Sequence, residues 1–215
     1  MKKRHVTLFL TFIIVLTLLL LSFTVYTVLP QKTICIDPGH GGFDGGATAN
    51  DIIEKDITLN ASLMLGLLLE QSGYNVKYTR KNDAALSNDK TKDMHKRLKI
   101  INEESNILYI SIHANKYPSK DVSGAQTFYN DKQDNSKLLA EFIQDYLKQE
   151  DKTNHRFAKA IKSKYITDNA NIPGCIVELG FLSNQKDCDV LTNEKQLEYR
   201  MVMVYLGIIK YLEYN

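Results

Sequence analysis

The chain has 215 residues and a formal net charge of +2, enough for one well-packed domain and a tail but not for two ordinary domains. The near-balanced charge, with no basic run interleaved with aromatics, speaks against nucleic acid as a partner. No low-complexity linker or internal repeat is visible, and three cysteines without a CxxC pair suggest no disulfide framework.

At the amino terminus Lys2-Lys3-Arg4 precede an apolar stretch from Val6 to Leu29, interrupted only by Thr and Ser. Roughly 24 residues are sufficient for about 30 Å of hydrocarbon, and Tyr26 to Pro30 offer no small-x-small cleavage site. The reading is an uncleaved signal-anchor helix within residues 1–30. The basic cluster then keeps the amino terminus cytoplasmic and places the domain of residues 31–215 outside, close to a membrane.

Thr33-Ile34-Cys35-Ile36 reads as a buried strand and leads into Asp37-Pro38-Gly39-His40-Gly41-Gly42-Phe43-Asp44-Gly45-Gly46. A helix follows, with Glu54 at its front and Ile57, Ala61, Met64, Leu65 and Leu68 on one face. Gly73 stops it, and Tyr74 to Thr79 form a second strand. Arg80 to Asp93 read as a surface loop, Met94 to Glu104 as a helix, and Ile107 to Ile112 as a third strand with His113 at its exit. Gly124 to Tyr129 are expected to be a strand. Ser136 is a plausible cap for the helix carrying Leu139, Phe142, Ile143 and Leu147. Tyr165 to Thr167 read as a short strand, and Cys175-Ile176-Val177 as a buried one that delivers Glu178. Glu194 to Tyr214 read as the closing helix. Cys35 and Cys175 are expected to be small core residues, and Cys188 a free thiol in a polar loop. Alternating strands and helices indicate an α/β fold, a mostly parallel twisted sheet flanked by helices.

Three strands thus end in His40, His113 and Glu178, and a helix near the first begins with Glu54. The carboxyl ends of parallel strands share one sheet edge, so these residues can converge despite their separation in sequence. Two imidazoles and a carboxylate are usual protein ligands of a catalytic zinc, and a second carboxylate left unbound suits a general base. Spacing leaves open which glutamate takes which role. His95 and His155, in polar segments, read as surface residues.

Asp37-Pro38-Gly39-His40-Gly41-Gly42, Glu54-Lys55, Ser111-Ile112-His113-Ala114-Asn115 and Glu178-Leu179-Gly180-Phe181-Leu182-Ser183-Asn184 resemble, in order, the signatures of zinc-dependent N-acetylmuramoyl-L-alanine amidases of the amidase-3 type. The resemblance implies that His40, Glu54 and His113 ligate Zn²⁺ and that Glu178 is the catalytic carboxylate. The implied reaction is hydrolysis of the amide joining the muramic acid lactyl group to L-alanine of the peptidoglycan stem peptide. Asp37 and Asn115 are candidates to support the ligands, and Arg80 and Arg97 either meet stem-peptide carboxylates or form structural salt bridges.

A small, tethered amidase resembles the sporulation and germination branch of that family. There, removal of the stem peptide precedes a muramic acid deacetylase and δ-lactam formation in spore cortex, between the forespore and mother-cell membranes. A vegetative autolysin of the same chemistry and a non-catalytic peptidoglycan-binding module are the alternatives. The glycines after the first strand match neither G-x-G-x-x-G nor the P-loop pattern, which argues against a nucleotide site.

Overall fold

A computed structural model describes residues 2–28 and 32–214, which fall into two units, Met1–Gln31 and Lys32–Asn215. The first unit is a single helix, α1 (Lys2–Val28), in which Leu8, Phe9, Leu10 and Phe12 are more than half exposed. Among the described residues no helix is long and apolar enough to cross a membrane, so the structure lends the expected signal anchor no support. The end of that expected span, Leu29 and Pro30, lies outside the described residues.

The second unit begins with β1 (Thr33–Pro38), a hairpin of β2 (Thr48–Ala49) and β3 (Ile52–Ile53), α2 (Glu54–Gln71) and β4 (Asn75–Tyr78). It continues through α3 (Lys90–Ile101), β5 (Asn106–Asn115), β6 (Gln126–Tyr129), α4 (Asp134–Glu150) and β7 (Lys159–Ala160). The last elements are α5 (Tyr165–Asn169), β8 (Gly174–Phe181), α6 (Gln185–Thr192) and α7 (Glu194–Tyr214). Six strands form one sheet in the order β4-β1-β5-β8-β6-β7. The first four run parallel, and β6 meets β8 antiparallel. All six residues of β1 are buried, as expected of a strand covered on both faces.

The two faces are unequal. Ile34, Ile36, Leu108, Ile110, Ile112, Cys175, Val177 and Leu179 join the main core with α2, α4 and α7. Cys35 and Tyr109, of the opposite parity, join a small core with Ile101, Ile166 and Ala170 from the α3 and α5 side. Because side chains alternate along a strand, Asp37, Ser111, His113 and Glu178 also belong to this thinner side. The site sits where the covering layer is least massive.

Several local expectations change. The helix expected from Met94 starts at Lys90, because Asp89 accepts from the backbone N–H of Lys92 at 2.8 Å and caps it. Ser136 lies inside α4, with Gln133 at the cap position. Its hydroxyl instead accepts from the N–H of Gly174 at 3.0 Å. The expected strand Tyr165–Thr167 is helical, since the N–H groups of Asp168 and Ala170 close a helical turn onto the carbonyls of Lys164 and Ile166. Cys188 lies buried in α6, not in a loop, where its thiol donates to the carbonyl of Leu182 at 3.0 Å. Cys35 and Cys175 are buried strand residues as expected, and all three cysteines are free.

Candidate metal centre and cleft

His40, Glu54 and His113 arrive from three different elements. His40 lies just past β1 in the left-handed region, with φ 61°, a strained conformation for a residue with a Cβ and one that clusters at functional sites. Its carbonyl accepts from a guanidinium nitrogen of Arg97, and the turn is closed by paired backbone hydrogen bonds between Gly41 and Asp44 of 2.8 and 3.1 Å. Glu54 is the first residue of α2 and is 4 % exposed. His113 belongs to β5.

The three side chains offer ligand atoms that all lie within 4.8 Å of one another, a group that could hold a metal ion. Glu54 is the hub. One of its carboxylate oxygens stands 3.1 Å from Nε2 of His40, and the other 2.8 Å from Nδ1 of His113. Backbone N–H groups of Ala47 and Ala114 donate to the same carboxylate at 2.7 and 3.1 Å. Burial pushes the Glu54 carboxyl up, but the hydrogen bonds to His113 and His40 prevail and hold it well below the usual carboxylate range. For His113, burial works against the proton, whereas Glu54 and the charge of Glu178 raise it above the ordinary imidazole value.

Two glycines make room for this cradle. A Cβ on Gly46, which has φ 73°, would stand 2.6 Å from a Glu54 carboxylate oxygen. A Cβ on Gly39 would run into the ring of His113.

Glu178 is the register partner of His113 on the neighbouring strand β8. Both lie inside their strands, short of the exits expected from sequence, because β5 and β8 stay paired as far as Asn115 and Phe181. Oε2 of Glu178 is buried without a hydrogen-bond partner, and burial raises its pKa above the ordinary carboxylate value. A carboxylate with one buried, partnerless oxygen thus stands beside a cluster of two imidazoles and a carboxylate that could hold a metal ion.

The supporting residues divide differently from expectation. Asp37 is buried and accepts from Thr79 at 2.6 Å, Ser111 at 2.7 Å and Arg97 at 2.9 Å. Arg97 also bonds Asp93 at 2.6 Å and the carbonyl of Pro38 at 2.7 Å. Arg80 donates to the carbonyls of Pro38, Gly39, Lys55 and Asn82. Both arginines are thus buried braces of the β1–α2 turn, not ligands for a substrate. Asn115 touches no metal-ligand candidate; its side chain accepts from the N–H of Lys116. Sequence reasoning missed Asp44, whose Oδ2 stands 3.0 Å from Nδ1 of His40 and 3.1 Å from Nζ of Lys90. Its position four residues beyond His40, in the same glycine-rich stretch, was the available signal. His95 and His155 are exposed, as expected.

A cleft of about 230 Å³ opens over these residues and runs on to Met94, Lys164, Tyr165 and Ile176. Residues 34–210 match the family model of N-acetylmuramoyl-L-alanine amidases, nearly the whole second unit. The chain belongs to the amidase-3 family. It is 38 % identical over 191 residues to the germination-specific N-acetylmuramoyl-L-alanine amidase of Bacillus subtilis, covering 85 % of this chain and 81 % of that one. The structure of the CwlD amidase from Clostridioides difficile, solved in complex with the GerS lipoprotein, superposes with a TM-score of 0.82 at 38 % identity, over 86 % of this chain and all of that one. The amidase LytC of B. subtilis is 30 % identical over 182 residues, which cover 84 % of this chain and 35 % of LytC. As an amidase-3 protein the chain is an N-acetylmuramoyl-L-alanine amidase with the fold of its relatives.

Proposed function

We propose that His40, Glu54 and His113 hold a zinc ion and that Glu178 is the general base and acid in hydrolysis of the N-acetylmuramoyl–L-alanine amide. The observation that carries this reading is the convergence of those three ligand atoms within 4.8 Å beside the buried, partnerless Oε2 of Glu178. Zinc in such a site supplies Lewis acidity, polarising the scissile carbonyl and acidifying water. Glu178 takes the proton of the attacking water and delivers it to the departing alanine amine as the C–N bond breaks. Ala47 and Ala114, through their backbone N–H groups, hold the Glu54 carboxylate aimed at the two imidazoles.

The physiological reading is spore cortex maturation, in which this amidase strips stem peptides ahead of a muramic acid deacetylase and δ-lactam formation. Its support is the similarity to the germination-specific relative and to CwlD. By the same similarity, a lipoprotein is a candidate partner. The basic residues Lys2, Lys3 and Arg4 ahead of an apolar stretch support an amino-terminal tether, with the domain of residues 31–215 extracytoplasmic.

Metal analysis of the purified protein together with peptide release from peptidoglycan tests the chemistry. Zinc is expected at one per chain, and His113→Ala is expected to lose both zinc and activity. Stem-peptide release that persists in a zinc-free protein overturns the reading. For the cortex role, muropeptides of spores from a deletion strain should lack muramic δ-lactam; an unchanged content points to a vegetative autolysin.

A further inference from the structure

The cleft is lined by several charged groups, and most of them already have partners. Arg97 pairs with both Asp37 and Asp93, at 2.9 and 2.6 Å, and Asp44 pairs with Lys90 at 3.1 Å. Two carboxylate or ammonium groups of the lining stand outside these pairs: the half-buried Glu178 and the exposed Lys164. Among the described residues the Lys164 ammonium has neither an ion pair nor a hydrogen bond.

The backbone of Lys164 is nonetheless fixed. Its carbonyl accepts from the N–H of Asp168 at 2.9 Å and the hydroxyl of Thr167 at 2.9 Å. Tyr165 beside it packs against His95 of α3, with ring centroids 5.1 Å apart and the planes tilted by 40°, which ties α5 to α3. The stem of a free cation is therefore planted at the cleft while its ammonium stays available. Met94, Tyr165, Ile166 and Ile176 supply an apolar wall between.

We infer that Lys164 receives a carboxylate of the stem peptide, the free α-carboxylate of the glutamate that follows L-alanine. The inference rests on the amidase reading and names which part of the substrate this chain recognises. Glutamate is joined onward through its γ-carboxyl, so its α-carboxylate travels with the scissile amide into a cleft that Glu178 already lines. An anion entering there without a compensating cation meets like charge in a partly desolvated site. Lys164 offsets this, and its charge already reaches Glu178, where it opposes the upward push of burial. The arginines that the sequence offered for the role are buried braces, which leaves the lysine.

The test compares soluble glycan oligomers whose stem peptides carry glutamate or its α-amide, isoglutamine, after L-alanine. With zinc content and melting temperature matched to the native enzyme, Lys164→Ala is expected to raise KM about tenfold on the glutamate substrate, the loss of one charge-assisted hydrogen bond. On that substrate kcat stays within about twofold of native, on the isoglutamine substrate KM is unchanged, and Lys164→Arg restores the native KM. An equal rise in KM on both substrates, or none on either, overturns the inference while leaving the amidase reading intact. A native enzyme that releases peptide from neither overturns both.

Discussion

His113 and Glu178 are register partners on adjacent parallel strands, so the sheet itself sets the spacing between a metal-ligand candidate and the proposed base. Strand neighbours lie about 4.8 Å apart, and no loop has to order for the pair to form. Glu178→Gln keeps that geometry and removes the basic oxygen. Its expected result is retained zinc with turnover on peptidoglycan lowered by about 10²–10⁴-fold. Burial raises the folded pKa of Glu178 above its unfolded value, so ionisation near neutral pH costs the native state stability. The Gln variant is accordingly expected to melt at or above the native temperature; normal turnover sinks the assignment.

Asp44 is expected to act through His40. With one imidazole nitrogen 3.1 Å from Glu54 and the other 3.0 Å from Asp44, the Asp44 charge is placed to steer the ring. Removing such a partner typically weakens metal binding about 10–100-fold. Asp44→Asn should show that loss in competition with a zinc-binding dye, with the fold unchanged by circular dichroism. Native zinc affinity in the variant restricts Asp44 to holding its turn.

The Asp37–Arg97 pair should contribute to the acid stability of the domain. Burial raises the Asp37 pKa, but the Arg97 charge and the hydrogen bonds from Thr79 and Ser111 hold it below 3.8. The resulting stability is fully present above that unfolded value and is lost as pH falls through the depressed folded one. In urea titrations the gap between native protein and Asp37→Asn should therefore close below about pH 3.8. Arg97→Met, which leaves Asp37 buried and uncompensated, is expected to cost about 3–5 kcal/mol at pH 7. A constant gap across the acid range would contradict the pairing.

What could be read in advance follows from how local each signal is. The all-apolar run of β1 and the spaced stripe of α2 are properties of a few consecutive residues, and both elements lie where periodicity places them. The convergence of His40, Glu54, His113 and Glu178 was legible because parallel strands bring separated ends to one edge, whereas the choice of Glu54 as the ligand came from the family resemblance. The roles of Arg80 and Arg97 were not, since burial depends on how the β1–α2 turn folds over them. Helices α5 and α6 are too short, at 5 and 8 residues, for an apolar stripe to repeat, so Cys188 looked like part of a loop. Lys164 was silent for another reason: an unpartnered cation is recognised only after every neighbouring charge has been matched.

The unequal covering of the sheet bears on how substrate reaches the site. Local opening requires less free energy where fewer apolar contacts must part. The layer of α3 and α5 holds only a small core around Cys35, Ile101, Tyr109, Ile166 and Ala170, whereas the other face carries nearly all the packing of the domain. The layer of α3 and α5 is therefore the less costly side to open, whereas the strands that carry His113 and Glu178 are backed by the main core. The chemical centre thus faces the lightly packed side, and the heavier core behind the same strands keeps His113 and Glu178 in place.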